Sequence, residues 1–207
     1  MKKSLFLLEL VSILIISIVL IIAQDNSQKQ KNKDCLSLTF DDGLESQYMA
    51  AYSLLKEKNF SATFFIIANI TSDPDLLNRN FMTPAEIKKL IENNFEIGSH
   101  TLSHPMLISL SNEEIEKELK ESKELLEKNY KISVNSLAFP YSRHNNNILI
   151  MAKKYYGVIR DETFQVYSFA LKKDTNVKEA GDYIAYAKLK NRHIAIIFHD
   201  IIQRPKI

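Results

Sequence analysis

Two short segments about sixty residues apart carry the side chains best suited to chemistry. Thr39-Phe40-Asp41-Asp42-Gly43 offers two adjacent carboxylates, and His100-Thr101-Leu102-Ser103-His104-Pro105 offers two histidines at i and i+4. One carboxylate with two imidazoles can hold a divalent metal and leave a position open for water or substrate. The second carboxylate then stands beside that position as an acid or base. Asp-Asp-Gly alone is a common turn, and spaced histidines alone are common on surfaces. Their combination, each half following a strand-like run, points to metal-dependent hydrolysis.

The elements that must position these residues are legible as alternating runs. Short apolar or β-branched stretches predict strands over 35–40, 62–68, 95–99, 136–139, 157–160, 165–170 and 193–198. Helical spacing predicts helices over 45–58, 111–128 and 146–155, and more weakly over 177–189. Thr83-Pro84-Ala85-Glu86 reads as an N-cap, a first-turn proline and a reciprocal glutamate, which starts a helix through Asn93. Ser111-Asn112-Glu113-Glu114 repeats the capping box. Six or seven βα units joined by short loops indicate an α/β barrel or a parallel sheet. Asp41, Asp42, His100, Tyr141 and His199 each fall just after a strand. That is where functional groups collect in such folds.

Composition narrows the class. The chain has 207 residues, 45% of them hydrophobic and 25% charged, which suits one domain plus an appendage. Its net charge is +2, and the excess lies at the N-terminus, so the region 36–207 carries 22 basic and 22 acidic side chains. No basic stripe argues for nucleic acid. The single cysteine, Cys35, cannot form an intramolecular disulfide and reads as a small apolar residue opening the first strand.

Leu5–Ala23 is a 19-residue apolar run interrupted only by Glu9, preceded by Lys2 and Lys3. As a helix it would span about 28 Å, close to a bilayer core. Ile21-Ile22-Ala23 is a poor cleavage site, which favours an uncleaved anchor over a signal peptide. The expected organisation is a membrane segment over 1–24, a polar tether over 25–34 and a folded domain over 35–207, facing outside the cytoplasm.

The two segments, with Phe139-Pro140-Tyr141 and Ile197-Phe198-His199-Asp200, resemble the motifs of the polysaccharide deacetylase family. These are the NodB-homology domains, or carbohydrate esterase family 4. The resemblance covers about residues 36–203 and implies a distorted (β/α) barrel. It implies that Asp42, His100 and His104 bind a divalent metal, usually zinc, with cobalt or nickel as alternatives. By the same resemblance Asp41 is the general base, Tyr141 gives its backbone N–H to the oxyanion and His199 is the general acid. The implied substrate is an N-acetylated surface polysaccharide such as peptidoglycan or poly-N-acetylglucosamine. O-acetyl hydrolysis is possible on the same scaffold, and a catalytically weak glycan-binding relative is the reading from another class.

The chain departs from the family pattern in three places. Many members carry Arg-x-Pro-Tyr-Gly in the third motif, where this chain has Ala138-Phe139-Pro140-Tyr141-Ser142. The arginine that tunes the base is therefore absent, with Arg143 and Arg160 available as substitute cations and neither singled out. The Asp-Trp fourth motif is missing, and Phe169–Lys173 stands in its approximate position, with Lys173 the candidate cation. Little sequence follows His199-Asp200, so the barrel is expected to be incomplete at its C-terminal end.

Overall fold

A computed structural model of the chain describes residues 36–69, 73–160, 166–170, 177–189 and 193–199. The expected membrane segment and tether, Cys35, Lys173 and Asp200 lie outside these residues. Among the described residues no helix is long and apolar enough to cross a membrane.

Strands and helices alternate. β1 (Leu36–Phe40) precedes α1 (Glu45–Glu57), β2 (Thr63–Ile66) precedes α2 (Pro84–Glu92), and β3 (Glu96–Ser99) precedes α3 (Asn112–Tyr130). β4 (Ser136–Ala138), α4 (Asn146–Ala152), β5 (Val158–Arg160), β6 (Val166–Ala170), α5 (Val177–Leu189) and β7 (His193–Phe198) follow. Both capping boxes form: Thr83 and Glu86 open α2 with Pro84 in its first turn, and Ser111 and Glu114 open α3. α4 stops three residues before the expected Tyr155, where the chain tightens as the Tyr155 and Tyr156 N–H groups both return to the Ala152 carbonyl. β2 is shorter than the 62–68 run, because the Ala68 and Asn69 N–H groups leave the ladder and bond the Thr101 and Leu102 carbonyls.

All seven strands are parallel, in the order β5-β4-β3-β2-β1-β7-β6. Because β7 pairs with β1, this is the cyclic order of a barrel cut between β5 and β6. Among the described residues those two strands have one partner each, so the expected barrel is realised as an open, half-barrel sheet.

Period-two alternation sorts the side chains onto two faces. Phe40 stacks on Phe64 and Phe198 at centroid separations of 4.6 and 4.7 Å, joining β2, β1 and β7. Phe64 meets Phe95, which meets Tyr52 of α1, so this face carries the helix-packed core. The neighbouring residues Thr39, Asp41 and Phe65 turn to the concave face. Gly98 lies beside Phe65 in register, and a Cβ there would stand 2.5 Å from the Phe65 ring and 2.6 Å from Ser136 Oγ. A Gly98→Ala substitution should therefore overpack the concave face and cost about 1–3 kcal/mol. Urea denaturation of the two proteins measures that loss.

Candidate metal centre

The chain leaves β1 through two consecutive left-handed residues, Asp42 (φ 74°) and Gly43 (φ 77°). At Gly43 a Cβ would also come within 3.0 Å of Ile66 Cδ1, so glycine suits the position twice over. The turn aims the Asp42 carboxylate at the end of β3. There His100 and His104 are held by a loop rather than a helix, with Thr101 (φ 68°) and His104 (φ 63°) both left-handed. A buried glutamate of α3 fixes this loop: Glu118 Oε2 accepts from the Leu102 and Ser103 N–H groups at 2.9 and 3.0 Å, and Oε1 from the Ser103 hydroxyl at 2.6 Å.

These constraints bring Asp42 Oδ1 to 3.5 Å from His100 Nε2 and 3.4 Å from His104 Nε2. The three ligand atoms lie within 4.8 Å of one another, and all three residues are buried. Both histidines use Nδ1 elsewhere. His100 Nδ1 donates to the Ala138 carbonyl at 2.9 Å, and His104 Nδ1 donates to Asp73 Oδ2 at 2.7 Å. That assignment leaves a lone pair on each Nε2, facing a carboxylate oxygen. Such an arrangement could hold a cation at its centre. Without a cation the two rings differ: burial opposes charge on His100, yet Asp41 and Asp42 outweigh it and raise its pKa, so a proton takes the place a metal would hold. His104 is lowered, by burial and then by His100. Two imidazoles and one carboxylate, with their outer nitrogens anchored, fit a divalent transition metal such as zinc.

Asp41 sits against this cluster, its Oδ2 3.9 Å from His100 Nε2 and 3.8 Å from His199 Nε2. Arg160 grips it with two bonds, Nη1 to Oδ1 at 2.6 Å and Nη2 to Oδ2 at 2.5 Å. Arg160 Nη1 also donates to Thr39 Oγ1 at 3.0 Å, and its guanidinium lies 5.0 Å from the Phe65 ring centroid. Burial alone would raise the Asp41 pKa, but the Arg160 charge and hydrogen bonds hold it at about 2. Arg160, which the sequence reading left undistinguished from Arg143, is therefore the substitute cation. Its backbone register explains why: Arg160 on β5 pairs with Ala138 on β4, the position of the missing third-motif arginine. The guanidinium has moved one strand sideways at the same level.

The rim of the site is more open. His199 follows β7 with its side chain about half exposed, and its carbonyl accepts from Gln47 Nε2 at 2.9 Å. Gln47, fully buried on α1, also donates to the Asp41 carbonyl, so one amide ties the ends of β1 and β7 together. Tyr141 is 45% exposed and lies in a turn where both it and Ser142 are left-handed (φ 58° and 52°). Its hydroxyl donates to Asp73 Oδ2, and its ring lies 4.9 Å from that of His104. His144 stacks on Phe139 in the same segment. A cavity of about 570 Å³ touches the site only at Asp42 and runs away from it past Asn69, Arg79 and Phe81. None of His100, His104, Tyr141 and His199 lines it.

All six residues expected at the site thus meet at the carboxyl ends of β1, β3, β4 and β7. Sequence reasoning missed Asp73, Glu118 and Gln47. Asp73 lies in an Asp-Pro-Asp loop that reads as a turn, and Glu118 and Gln47 lie on helices where a polar residue signals a solvent face.

Comparison with known proteins agrees with this geometry. The family model described as "Polysaccharide deacetylase" matches residues 28–158, which include Asp41, Asp42, His100, His104 and Tyr141 but not Arg160 or His199. A poly-β-1,6-N-acetyl-D-glucosamine N-deacetylase of Staphylococcus aureus (strain MSSA476) is 29% identical over 155 residues, covering 70% of this chain and 51% of that protein. The chain spans about half the length of the curated relatives it matches. Among solved structures, the Streptococcus pyogenes deacetylase PplD in complex with acetate is 27% identical with a TM-score of 0.54, covering 64% of this chain and 56% of that one. The Bacillus cereus polysaccharide deacetylase BC0361 has a TM-score of 0.62 at 22% identity, covering 81% of this chain and 60% of that one, and shares the fold.

Removing one partner of the buried Arg160–Asp41 pair leaves an uncompensated charge. Arg160→Ala should cost about 3–5 kcal/mol. Arg160→Lys should rescue little, since a point charge cannot make both bonds. Adding Ala138→Arg to Arg160→Ala should recover part of the loss, and thermal melts of the four proteins measure each step.

Proposed function

The chain belongs to the polysaccharide deacetylase family, and from that membership we propose that it is a metal-dependent hydrolase removing N-acetyl groups from an N-acetylated cell-surface polysaccharide. The observation that carries this reading is the buried Asp42–His100–His104 cluster, with Asp41 and His199 beside it. The staphylococcal relative, an N-deacetylase of a poly-N-acetylglucosamine by name, supports the substrate class. The expected apolar segment Leu5–Ala23 supports an anchored enzyme acting outside the cytoplasm.

An acetamide is a poor electrophile with a poor leaving group. Its hydrolysis needs an activated water, a place for the oxyanion and a proton for the departing amine. A divalent cation held by Asp42, His100 and His104 would supply Lewis acidity and make a bound water more acidic. Asp41, kept ionised by Arg160, accepts hydrogen bonds only, which suits a group that orients water; it would take the proton of a water already made acidic by the cation. The Tyr141 N–H would stabilise the oxyanion, and its turn has the left-handed backbone found where strain serves a site. His199, 3.8 Å from Asp41 Oδ2 and open to solvent, would protonate nitrogen as the C–N bond breaks. The products are acetate and a free amine on the sugar.

The test is acetate release from N-acetylglucosamine oligomers and peptidoglycan, with Zn²⁺, Co²⁺ or Ni²⁺ supplied. Wild-type protein should release acetate only with metal, and Asp41→Asn should lose at least 100-fold in rate while retaining metal, as expected for a general base. Metal-loaded, folded protein that releases no acetate would favour a glycan-binding relative instead. Release from acetylated xylan alone would favour an O-acetyl esterase.

A further inference from the structure

Two imidazoles face Asp42, and they are oriented by different means. His100 is fixed by a neutral backbone carbonyl of β4, whereas His104 is fixed by the carboxylate of Asp73. Asp73 is itself buried in the loop after β2, 8% exposed, and no motif recognised in the sequence includes it. Its own conformation is locked, because Oδ1 accepts the Asp75 N–H at 3.0 Å. The other oxygen, Oδ2, accepts from both His104 Nδ1 and the Tyr141 hydroxyl.

That shared oxygen joins two parts of the site that arrive from different strands. One is a ligand of the cation, at the end of the β3 loop. The other is the left-handed turn after β4, whose amide faces the developing oxyanion in the reading above. Both must act on the same carbonyl oxygen, so their separation has to be held to a fraction of an ångström. A carboxylate also fixes the His104 tautomer and makes Nε2 a stronger donor to the metal than a backbone carbonyl would.

We propose that Asp73 is a positioning residue that sets the His104 ligand and the Tyr141 turn jointly, a role that rests on the metal-centre reading. The experiment uses the full chain, with Zn²⁺ affinity measured by competition with a chromogenic chelator and ligand geometry read from the visible spectrum of the Co²⁺ form. Asp73→Ala should weaken Zn²⁺ binding by about 10–100-fold and change the Co²⁺ spectrum. Asp73→Asn, which keeps the shape and one acceptor oxygen, should fall between Asp73→Ala and wild type with an unchanged melting temperature for the metal-free protein. It carries the test if the alanine variant does not fold. Losses in kcat from Asp73→Ala and Tyr141→Phe should be less than additive when combined, because both remove the bond from the Tyr141 hydroxyl. Zn²⁺ affinity and a Co²⁺ spectrum equal to wild type in Asp73→Asn would overturn the role of Asp73 and leave the metal centre standing. Wild-type protein that binds neither ion would overturn both.

Discussion

The Arg160–Asp41 pair is the interaction on which the rest of the site depends. β5 and β1 are four strand intervals apart in the sheet, which is about 19 Å in a flat arrangement. No arginine side chain covers that distance. The two bonds from Arg160 to Asp41 therefore exist only because the sheet curls, and in turn they hold the curl closed across its concave face. Phe65 of β2 lies under the guanidinium, and Gly98 of β3 leaves the room that Phe65 occupies. One ion pair thus links strands β1, β2, β3 and β5 and presents Asp41 beside the metal ligands. Its bidentate geometry and the third bond to Thr39 offset the desolvation of a buried carboxylate.

Strain is distributed unevenly. Among the described residues, eight other than glycine have positive φ, and three of them, Asn59, Asn94 and Lys131, follow helix ends, where a left-handed residue is ordinary. The other five, Asp42, Thr101, His104, Tyr141 and Ser142, are all at the site. Each strained turn has a polar anchor nearby: Glu118 holds the loop between the histidines, Asp73 holds Tyr141 and His104, and Gln47 joins the ends of β1 and β7. These anchors come from helices and loops packed around the sheet, so the stability of the outer layer is converted into precision at the centre.

The site divides into a dry floor and an open rim. Asp41, Asp42, His100 and His104 are buried, which strengthens their mutual electrostatics, whereas His199 and Tyr141 are about half exposed. That division suits a substrate that is part of a long polymer and reaches the floor with one small group. The family match crosses this division, since it includes Tyr141 of the rim but stops before Arg160, which grips the floor, and before His199. Arg160 comes from β5, at one edge of the sheet, and His199 from the end of β7, between β1 and β6.

Much of this was legible in the sequence because it is local. Strand and helix periods, two capping boxes and the Asp-Asp-Gly and His-x-x-x-His segments depend on neighbouring residues, and they pointed to an α/β barrel or parallel sheet and to Asp41, Asp42, His100 and His104, while Tyr141 and His199 took their expected roles from the family resemblance. Arg160, Asp73, Glu118 and Gln47 are different. Each looks like a surface charge or a turn residue in its own segment, and each acquires its role from a partner 119, 31, 16 or 152 residues away. The replacement of the third-motif arginine shows the limit most directly. The sequence determined that Ala138 could not supply the charge, because a methyl group has none. Only the tertiary structure decided that Arg160 does, because strand register and sheet curvature, which no local pattern encodes, set β5 beside β4 and turn its side chain inward to Asp41.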